Sequence, residues 1–456
     1  MKKLLTMMLA LALVLSAFAG INTETVKADP NELSFYDIMS TTERMQYFEQ
    51  VFAEYKEQTG VNFTYEGEPW TGSTSNLVTM FAANNGPDVF VCMPNTKVLI
   101  ENGWVAPIDD YIAEKGDEFV TLIKDYYWFK QKETFDHAYS FPDGLMGAGI
   151  YYRKDWVEEL GYELPTGKDW NWEEFWKLAE ALTQPENNRY GFAFRGNGAA
   201  GWANNYLKCY TSCRIYDLET KKWLYDDYKL GMKQYTDSYM TGIAPKDSLN
   251  WGWSEQIDGF ASGLVGLFYN DSDCFPFFVD RMEEGTWGVL PIPYTNDGTG
   301  FTTSVNCTYS WYVGAQSENV DACFGLIDYL YTPEKSAEYC LMMGEIPVKK
   351  DVAATEYFSE DGPLGAFVLQ MNNPDACMDG QMIGVNYNDE AGYQYNLDAE
   401  MQAYLLGEIT YEEFFEGWAQ WNQDAIDGYF AKGGEVTDIV RMQDILAQSG
   451  AASTAE

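Results

Sequence analysis

A chain of 456 residues is too long to close around one compact core, so two lobes are expected. The formal net charge of −41 excludes nucleic acid and an anionic membrane surface as partners, while 46% hydrophobic against 22% charged residues is an ordinary globular balance.

The first 28 residues read as an export signal. Lys2-Lys3 is a basic start, Leu4 to Phe18 is almost wholly apolar, and Ala17-Phe18-Ala19 or Val26-Lys27-Ala28 offers the cleavage site. The apolar run is too short for a lone membrane span, and nothing later is apolar for long enough to cross a bilayer. Leu33 to Ile38 then alternates like a strand. It ends at Ser40-Thr41-Thr42, cap residue types for a helix with Phe48, Val51, Phe52 and Tyr55 on one face and Gly60 at its stop. Val61 to Tyr65 is a second strand, followed by the turn Gly67-Glu-Pro-Trp70-Thr-Gly72. A helix over 75–83 leads to Gly86-Pro87 and the short apolar strand Val89 to Cys92. Met93 to Thr96 lies at that strand's carboxyl end, where open α/β sheets place their ligands. The alternation of strand and helix predicts a parallel, doubly wound sheet in this half.

Phe141-Pro-Asp-Gly144-Leu-Met146-Gly147-Ala-Gly149-Ile-Tyr-Tyr152 is glycine-rich and then strand-like, which suits a passage between lobes. Trp156 to Leu160 is a short helix closed by Gly161. Asn171-Trp-Glu-Glu174 is a capping box opening a helix that buries Phe175, Leu178, Ala179 and Leu182. Tyr190 to Phe194 reads as a strand, and Arg195 to Asn205 as a loop containing Trp202. Ile257 to Gly263 leads into a strand from Leu264 to Tyr269 and a loop from Asn270 to Asp273. Gly288 to Pro293 begins a return to the first lobe, Trp311 to Ala315 is a strand, and Val320 to Tyr331 an amphipathic helix. Gly344-Glu-Ile-Pro347 reads as a third crossing, and Phe414, Phe415 and Trp418 stand at helix spacing in the tail.

Eight cysteines do not make a disulfide scaffold, although export permits a bridge. Cys323 and Cys340 sit in helical, apolar contexts and are expected to be buried thiols. The single His137 rules out a multi-histidine metal site and a nucleophilic pair. With 70 Asp and Glu residues, carboxylate pairs arise by chance and do not argue for a glycosidase. No catalytic residue, metal or cofactor is expected.

Several stretches stand in a specific order: Gly86-Pro87-Asp88-Val89, Gly103-Trp-Val-Ala-Pro-Ile-Asp109-Asp-Tyr, Ile150-Tyr-Tyr152-Arg-Lys154-Asp155, and Leu164-Pro165 before Asp169-Trp-Asn-Trp172-Glu-Glu. Tyr190-Gly-Phe, Phe260-x-x-Gly263, Gly288-Val-Leu-Pro-Ile-Pro, Tyr331-Thr-Pro-Glu334 and Gly344-x-x-Pro347 complete them. Together they resemble the extracellular solute-binding proteins of ABC importers, sugar-binding type (maltose-binding-protein-like), over nearly the whole chain after the signal. The resemblance implies an α/β, type II periplasmic-binding fold. Two lobes, each a mostly parallel sheet flanked by helices, are joined by three crossings. The first lobe is expected over 29–145 plus 304–346 and the second over 146–303 plus 347–456. The implied function is to close on a carbohydrate, an oligosaccharide for preference, and to deliver it as a monomer to ABC permease subunits. A secreted glycoside hydrolase, or a receptor for a peptide or polyamine, is the alternative. Ala19-Gly20-Ile21 lacks the cysteine of a lipobox, which speaks against a lipid anchor and for a periplasmic or otherwise retained protein.

Aromatic residues make up 16% of the chain, and sugars are held by ring faces together with a few placed polar groups. Loops at strand ends therefore nominate Ser40, Thr41, Glu43, Trp70, Asn95, Trp202, Asn204, Asp271 and Asp273. Ser40 and Thr41 also fit a plain helix cap, and Asp88 a structural turn. By resemblance Asn95, Asp271 and Asp273 occupy ligand-contacting positions, and Tyr387 and Tyr393 lie in a loop that offers aromatics. Met146 is expected to floor the cleft at the first crossing, with Trp251 and Trp253 able to join.

Overall fold

The computed structural model describes residues 30–70, 74–93, 96–211, 216–217, 220, 222–298, 305–306, 309–372 and 391–433. In the first lobe, β1 (Glu32–Asp37) lies between β2 (Asn62–Gly67) and β3 (Val89–Cys92), parallel to both. Helix α1 (Thr42–Thr59) carries the chain from β1 to β2. Thr41 Oγ1 accepts from the Arg44 amide at 3.2 Å, and Gly60 closes the helix at φ 77, a left-handed angle that favours glycine. Phe48, Val51, Phe52 and Tyr55 are buried as the periodicity predicts, with Phe48 packed 4.6 Å from Phe35 of β1. Each such ring or branched chain contributes about 1.5–3 kcal/mol of burial. All four residues of β3 are buried because both faces of the sheet are covered. Asp88 ties β3 to β1, accepting from the Ser34 amide at 2.8 Å and the Ser34 hydroxyl at 2.7 Å, so its role is structural.

Two antiparallel strands extend this sheet: β12 (Ser310–Val313) on β3, and β4 (Phe141–Pro142) on β12. In the second lobe β5 (Met146–Arg153) is antiparallel to both β9 (Val265–Asp271) and β10 (Trp287–Leu290), and β6 (Tyr190–Phe192) is parallel to β9. Both sheets are therefore mixed rather than mostly parallel. A strand that enters from the other lobe needs no helical crossover to reach its neighbour, so nothing forces parallel order on β5. The stretch from Gly288 belongs to β10 and pairs within the second lobe. The return begins only at β11 (Val305–Asn306), which is antiparallel to the start of β5. A small ribbon of β7 (Tyr216–Asp217) and β8 (Lys222–Trp223) lies apart from the main sheet.

Helix α2 (Trp172–Leu182) buries the four predicted residues, and Asn171 Oδ1 accepts from the Glu174 amide at 3.1 Å. Only half of the expected box forms, because Glu174 turns to Lys177 at 2.7 Å and Tyr162 at 3.2 Å. The predicted loop 195–205 is instead the run-in to helix α3 (Ala199–Tyr210). Gly196 and Gly198 read as a loop, yet Gly198 at φ 66 starts the helix, and Ala203, Tyr206, Leu207 and Tyr210 give it a buried face.

Helices α4 (Phe275–Arg281) and α5 (Pro333–Met343) approach each other where the chain changes lobes. There Leu145 and Ile346 exchange backbone hydrogen bonds of 2.9 and 2.8 Å, joining the first and third crossings. Beyond it the Val120 amide donates to Val348 O at 2.9 Å, so residues 347–349 still lie on the first lobe. The chain reaches the second lobe at α6 (Gly365–Asn372). Phe367 of α6 fills the space a side chain at Gly149 would need, and Gln370 donates to Ala148 O at 2.8 Å. Helix α7 (Tyr411–Ala431) forms its full capping box, Thr410 with Glu413, and buries Phe414, Phe415 and Trp418. Cys92, Cys209, Cys274, Cys323 and Cys340 are buried, and burial pushes Cys92 and Cys323 up to about 12. Cys213, Cys307 and Cys377 lie outside the described residues. Among the described residues no helix is long and apolar enough to cross a membrane.

Candidate functional site

The ends of β1 and β9 meet across a cleft of about 590 Å³, bordered by Thr41, Glu43 and Arg44 from one lobe and by Trp253 and Asp273 from the other. On the first side, β1 delivers Asp37 into the interior with no exposure. Arg44, one turn into α1, returns its guanidinium to that carboxylate at 2.8 Å. Tyr65 bridges Asp37 Oδ2 at 3.0 Å and Ser40 Oγ at 2.9 Å, which fixes the strand-end loop. Arg44 Nη1 donates to the Tyr339 hydroxyl at 2.7 Å, and that hydroxyl donates to Asp143 Oδ2 at 2.6 Å. A continuous polar chain thus links β1 to the first crossing.

The crossings hold carboxyls that carry little compensation. Both Glu345 oxygens are buried without a hydrogen-bond partner, and a Cβ on Gly144 would fall 2.1 Å from Glu345 Oε2. Burial, then the neighbouring Asp143, pushes the Glu345 carboxyl well above the carboxylate range. Asp143 is pushed up to about 6 by burial, against the opposing pull of the Tyr339 hydrogen bond and of Arg44.

On the second side, β9 ends in Asn270-Asp271-Ser272-Asp273. Burial pushes Asp271 up to about 8, with Asp273 adding to the effect and Arg195 opposing it. Asp273 rises to about 6, again through burial first, and its Oδ1 is buried with no partner. At neutral pH Asp271 therefore keeps its proton and can both donate and accept. Arg195, whose own pKa burial lowers, lies over the Trp202 ring at 5.3 Å, and Tyr269 packs 5.4 Å from that ring.

Of the residues expected from sequence, Thr41, Glu43 and Asp273 line the same cleft. Thr41 also caps α1, and Ser40 joins through Tyr65. Trp70 is 45% exposed and meets Tyr309 edge-on at 5.8 Å. Trp202 is not on a loop but inside α3 and mostly buried, and Asn204 follows in that helix with its side chain outside the described residues. Met146 is packed into the core at the start of β5, with 3% exposure, beneath the crossing rather than in the cleft. Tyr393 donates to Asp424 on the face of α7 at 2.9 Å and is not among the residues that border the cleft. Asn95 and Tyr387 lie outside the described residues. Trp251 is buried and donates to Asp247, while Trp253 reaches the cleft.

Arg44, Tyr65, Arg195, Tyr309, Asp143 and Glu345 were not nominated by the sequence. The last two sit inside stretches that mark the crossings, where the glycines drew attention and the adjoining acids did not. Among the described residues no group of three or more His, Cys, Asp or Glu is arranged to hold a metal.

The family described as "Bacterial extracellular solute-binding protein" matches residues 40–337. A binding protein of Brucella abortus is 23% identical over 339 residues, covering 72% of this chain and 79% of its own. Among solved structures, an ABC transporter solute-binding protein from Thermotoga lettingae bound with α-D-tagatose aligns with TM-score 0.69 at 17% identity, over 87% of this chain and 99% of that one. A maltose-bound T. maritima protein aligns with TM-score 0.69 at 16% identity, over 88% and 99%. These structural likenesses establish the type II two-lobe fold. With the family match spanning most of the chain on that frame, this protein belongs to the bacterial extracellular solute-binding protein family.

Proposed function

We propose that this protein is the carbohydrate-binding component of an ABC importer, closing its two lobes on a neutral sugar and presenting it to the permease subunits outside the cytoplasm. The observation that carries the reading is the make-up of the cleft. The ring of Trp253 and the carboxyl of Asp273, with one oxygen buried and unpartnered, border it, and Asp271, whose carboxyl burial pushes up, ends β9 two residues before Asp273. Rings suit the C–H faces of a sugar, and a protonated carboxyl suits hydroxyls because it both donates and accepts. The sugar-bound relatives of the same fold support the class of ligand. Ser40, Thr41, Glu43, Trp70, Asp271 and Asp273 are the proposed contacts, and Arg195 orients Trp202. Closure follows if the sugar binds the closed state better than the open one. The protein acts as a monomer without turnover of its ligand.

The gathering of Glu43 and Asp273 at one cleft favours, as a second reading, a cationic solute such as a polyamine. A thermal-shift screen of the protein from Asp29 separates the two. Intact mono- and oligosaccharides, peptides and polyamines are each titrated, and every hit is analysed for cleavage. A ligand at a hundred times its Kd stabilises the native state by about 2.7 kcal/mol, so a saturable rise with an intact sugar is expected. A rise with polyamines or peptides alone overturns the carbohydrate reading, and a sugar recovered cleaved makes the protein a hydrolase.

A further inference from the structure

We propose that the cleft continues into an apolar bay that takes the aglycone of a glycoside, an aromatic or short alkyl group attached to the sugar. This protein would then be a receptor for uncharged or cationic glycosides rather than for bare sugars alone. The inference rests on the carbohydrate reading above. Beyond Thr41, Glu43 and Asp273, the wall of the same cavity is formed by Met39, Leu341, Met342 and Met343 from the first lobe and by Trp253 and Phe277 from the second. Phe277 and Trp253 pack perpendicular to each other at 5.3 Å and 87°, so the two rings form one aromatic corner of the wall.

Exposure sets this wall apart from ordinary surface. Phe277 is 43% exposed, Val279 55%, Leu341 41% and Tyr357 40%, and all four border the one cavity. Single exposed apolar side chains are common, but a contiguous group of them marks a binding surface. The volume of about 590 Å³ lies within the range of small-molecule sites. Sugar hydroxyls would find no hydrogen-bond partner on Met, Leu or Phe side chains, so the wall is matched to an apolar group. Methionines at three positions let it fit aglycones of different outline.

Charge narrows the occupant further. Glu43, Asp273 and Asp280 border the cavity, and the one cation among the described residues of its wall, Arg44, is held by Asp37 and Tyr339. Fatty-acid carboxylates and acidic lipids are therefore disfavoured. Because both lobes supply the wall, an occupant bridges them and favours closure in the same sense as the sugar.

The test uses the full chain from Asp29 with paired methyl and phenyl glycosides of glucose, galactose, mannose and maltose, and the neutral dye N-phenyl-1-naphthylamine. For whichever sugar binds, calorimetry is expected to find the phenyl glycoside at least about tenfold tighter than the methyl one, the scale of burying a ring. The dye is expected to brighten on binding and to be displaced by the phenyl but not the methyl glycoside. Phe277→Ser, a polar change at an exposed position, brings the phenyl-to-methyl affinity ratio close to one. Equal affinities for the pair, with the sugar still bound, overturn the bay and leave the carbohydrate reading intact. Dye displaced only by a peptide or by self-association of the chain overturns the aglycone assignment in favour of that occupant. Binding of neither glycoside series removes the carbohydrate reading and this inference with it.

Discussion

Replacing Asp143 by Asn removes one buried charge at the first crossing while keeping the shape of the side chain. In the native protein this carboxyl is held at about 6 against an ordinary 3.8. The folded chain therefore retains a proton that the unfolded chain has released between those two values. Its contribution to stability is fully present below the lower value and is lost as the pH rises through the upper one. Roughly two units at 1.36 kcal/mol each make the loss about 3 kcal/mol. The carbonyl of the substituted amide can still accept from Tyr339, as Asp143 Oδ2 does at 2.6 Å, and it never titrates. Urea unfolding followed by tryptophan fluorescence, extrapolated to water at steps between about pH 4 and pH 7.5, reads the difference directly. The variant should gain on the wild type by about 3 kcal/mol across that range, beginning from near parity at the acid end. A gap that stays flat with pH, or one that widens toward acid, refutes the assignment of a raised carboxyl at this crossing.

Arg44→Met strands Asp37, since both partners are at most 2% exposed. The expected loss is about 3–5 kcal/mol in chemical denaturation, reduced when Asp37→Asn is added; simply additive costs would show the two charges to be independent. Asp271→Asn should keep sugar affinity within about threefold at neutral pH, because the wild-type carboxyl, held at about 8, is already protonated there. Above that value the wild type loses affinity and the variant does not, and calorimetric titration showing tighter wild-type binding at alkaline pH would contradict this. Gly144→Ala drives a methyl to 2.1 Å from Glu345 Oε2, costing about 1–3 kcal/mol by overpacking. Glu345→Ala should relieve it in the double variant, and an unchanged melting temperature for Gly144→Ala alone would show that the crossing has slack.

Local chemistry made much of the fold legible. Thr41 and Gly60 bracket α1 and Asn171 opens α2, since caps and stops act within a few residues of themselves, and the helix spacing of Phe414, Phe415 and Trp418 marks α7. The stretch after Arg195 misled because Gly196 and Gly198 are loop residues by composition, while the buried spacing from Ala203 to Tyr210 decides for a helix. The cleft was legible where residues follow closely on a strand's carboxyl end, as Thr41 and Glu43 do after β1 and Asp273 does after β9. It was not legible where partners come from remote positions. Arg44 and Tyr339 are 295 residues apart, and Tyr339 and Asp143 are 196 apart. No local pattern announces such a meeting. Met146 has the right place in the chain, but β5 turns it into the core. Antiparallel order in the second sheet was hidden for the same reason: it depends on where a strand arrives from, not on its composition.

The five described thiols have a consequence for how this protein must be made. As a member of an extracellular family it meets oxidising surroundings with buried cysteines in its native fold. Until folding is complete, each is a handle for a wrong crosslink. Afterwards burial removes both access and thiolate, as at Cys92, pushed up to about 12. Protection from oxidation is thus a property of the folding rate rather than of any bond. Cys323 and Cys340 lie on helices that complete the first lobe after the chain has returned from the second, so their shelter depends on contacts between segments far apart in the sequence. Any lesion that slows that return turns a loss of speed into a loss of protein through mispaired sulfurs.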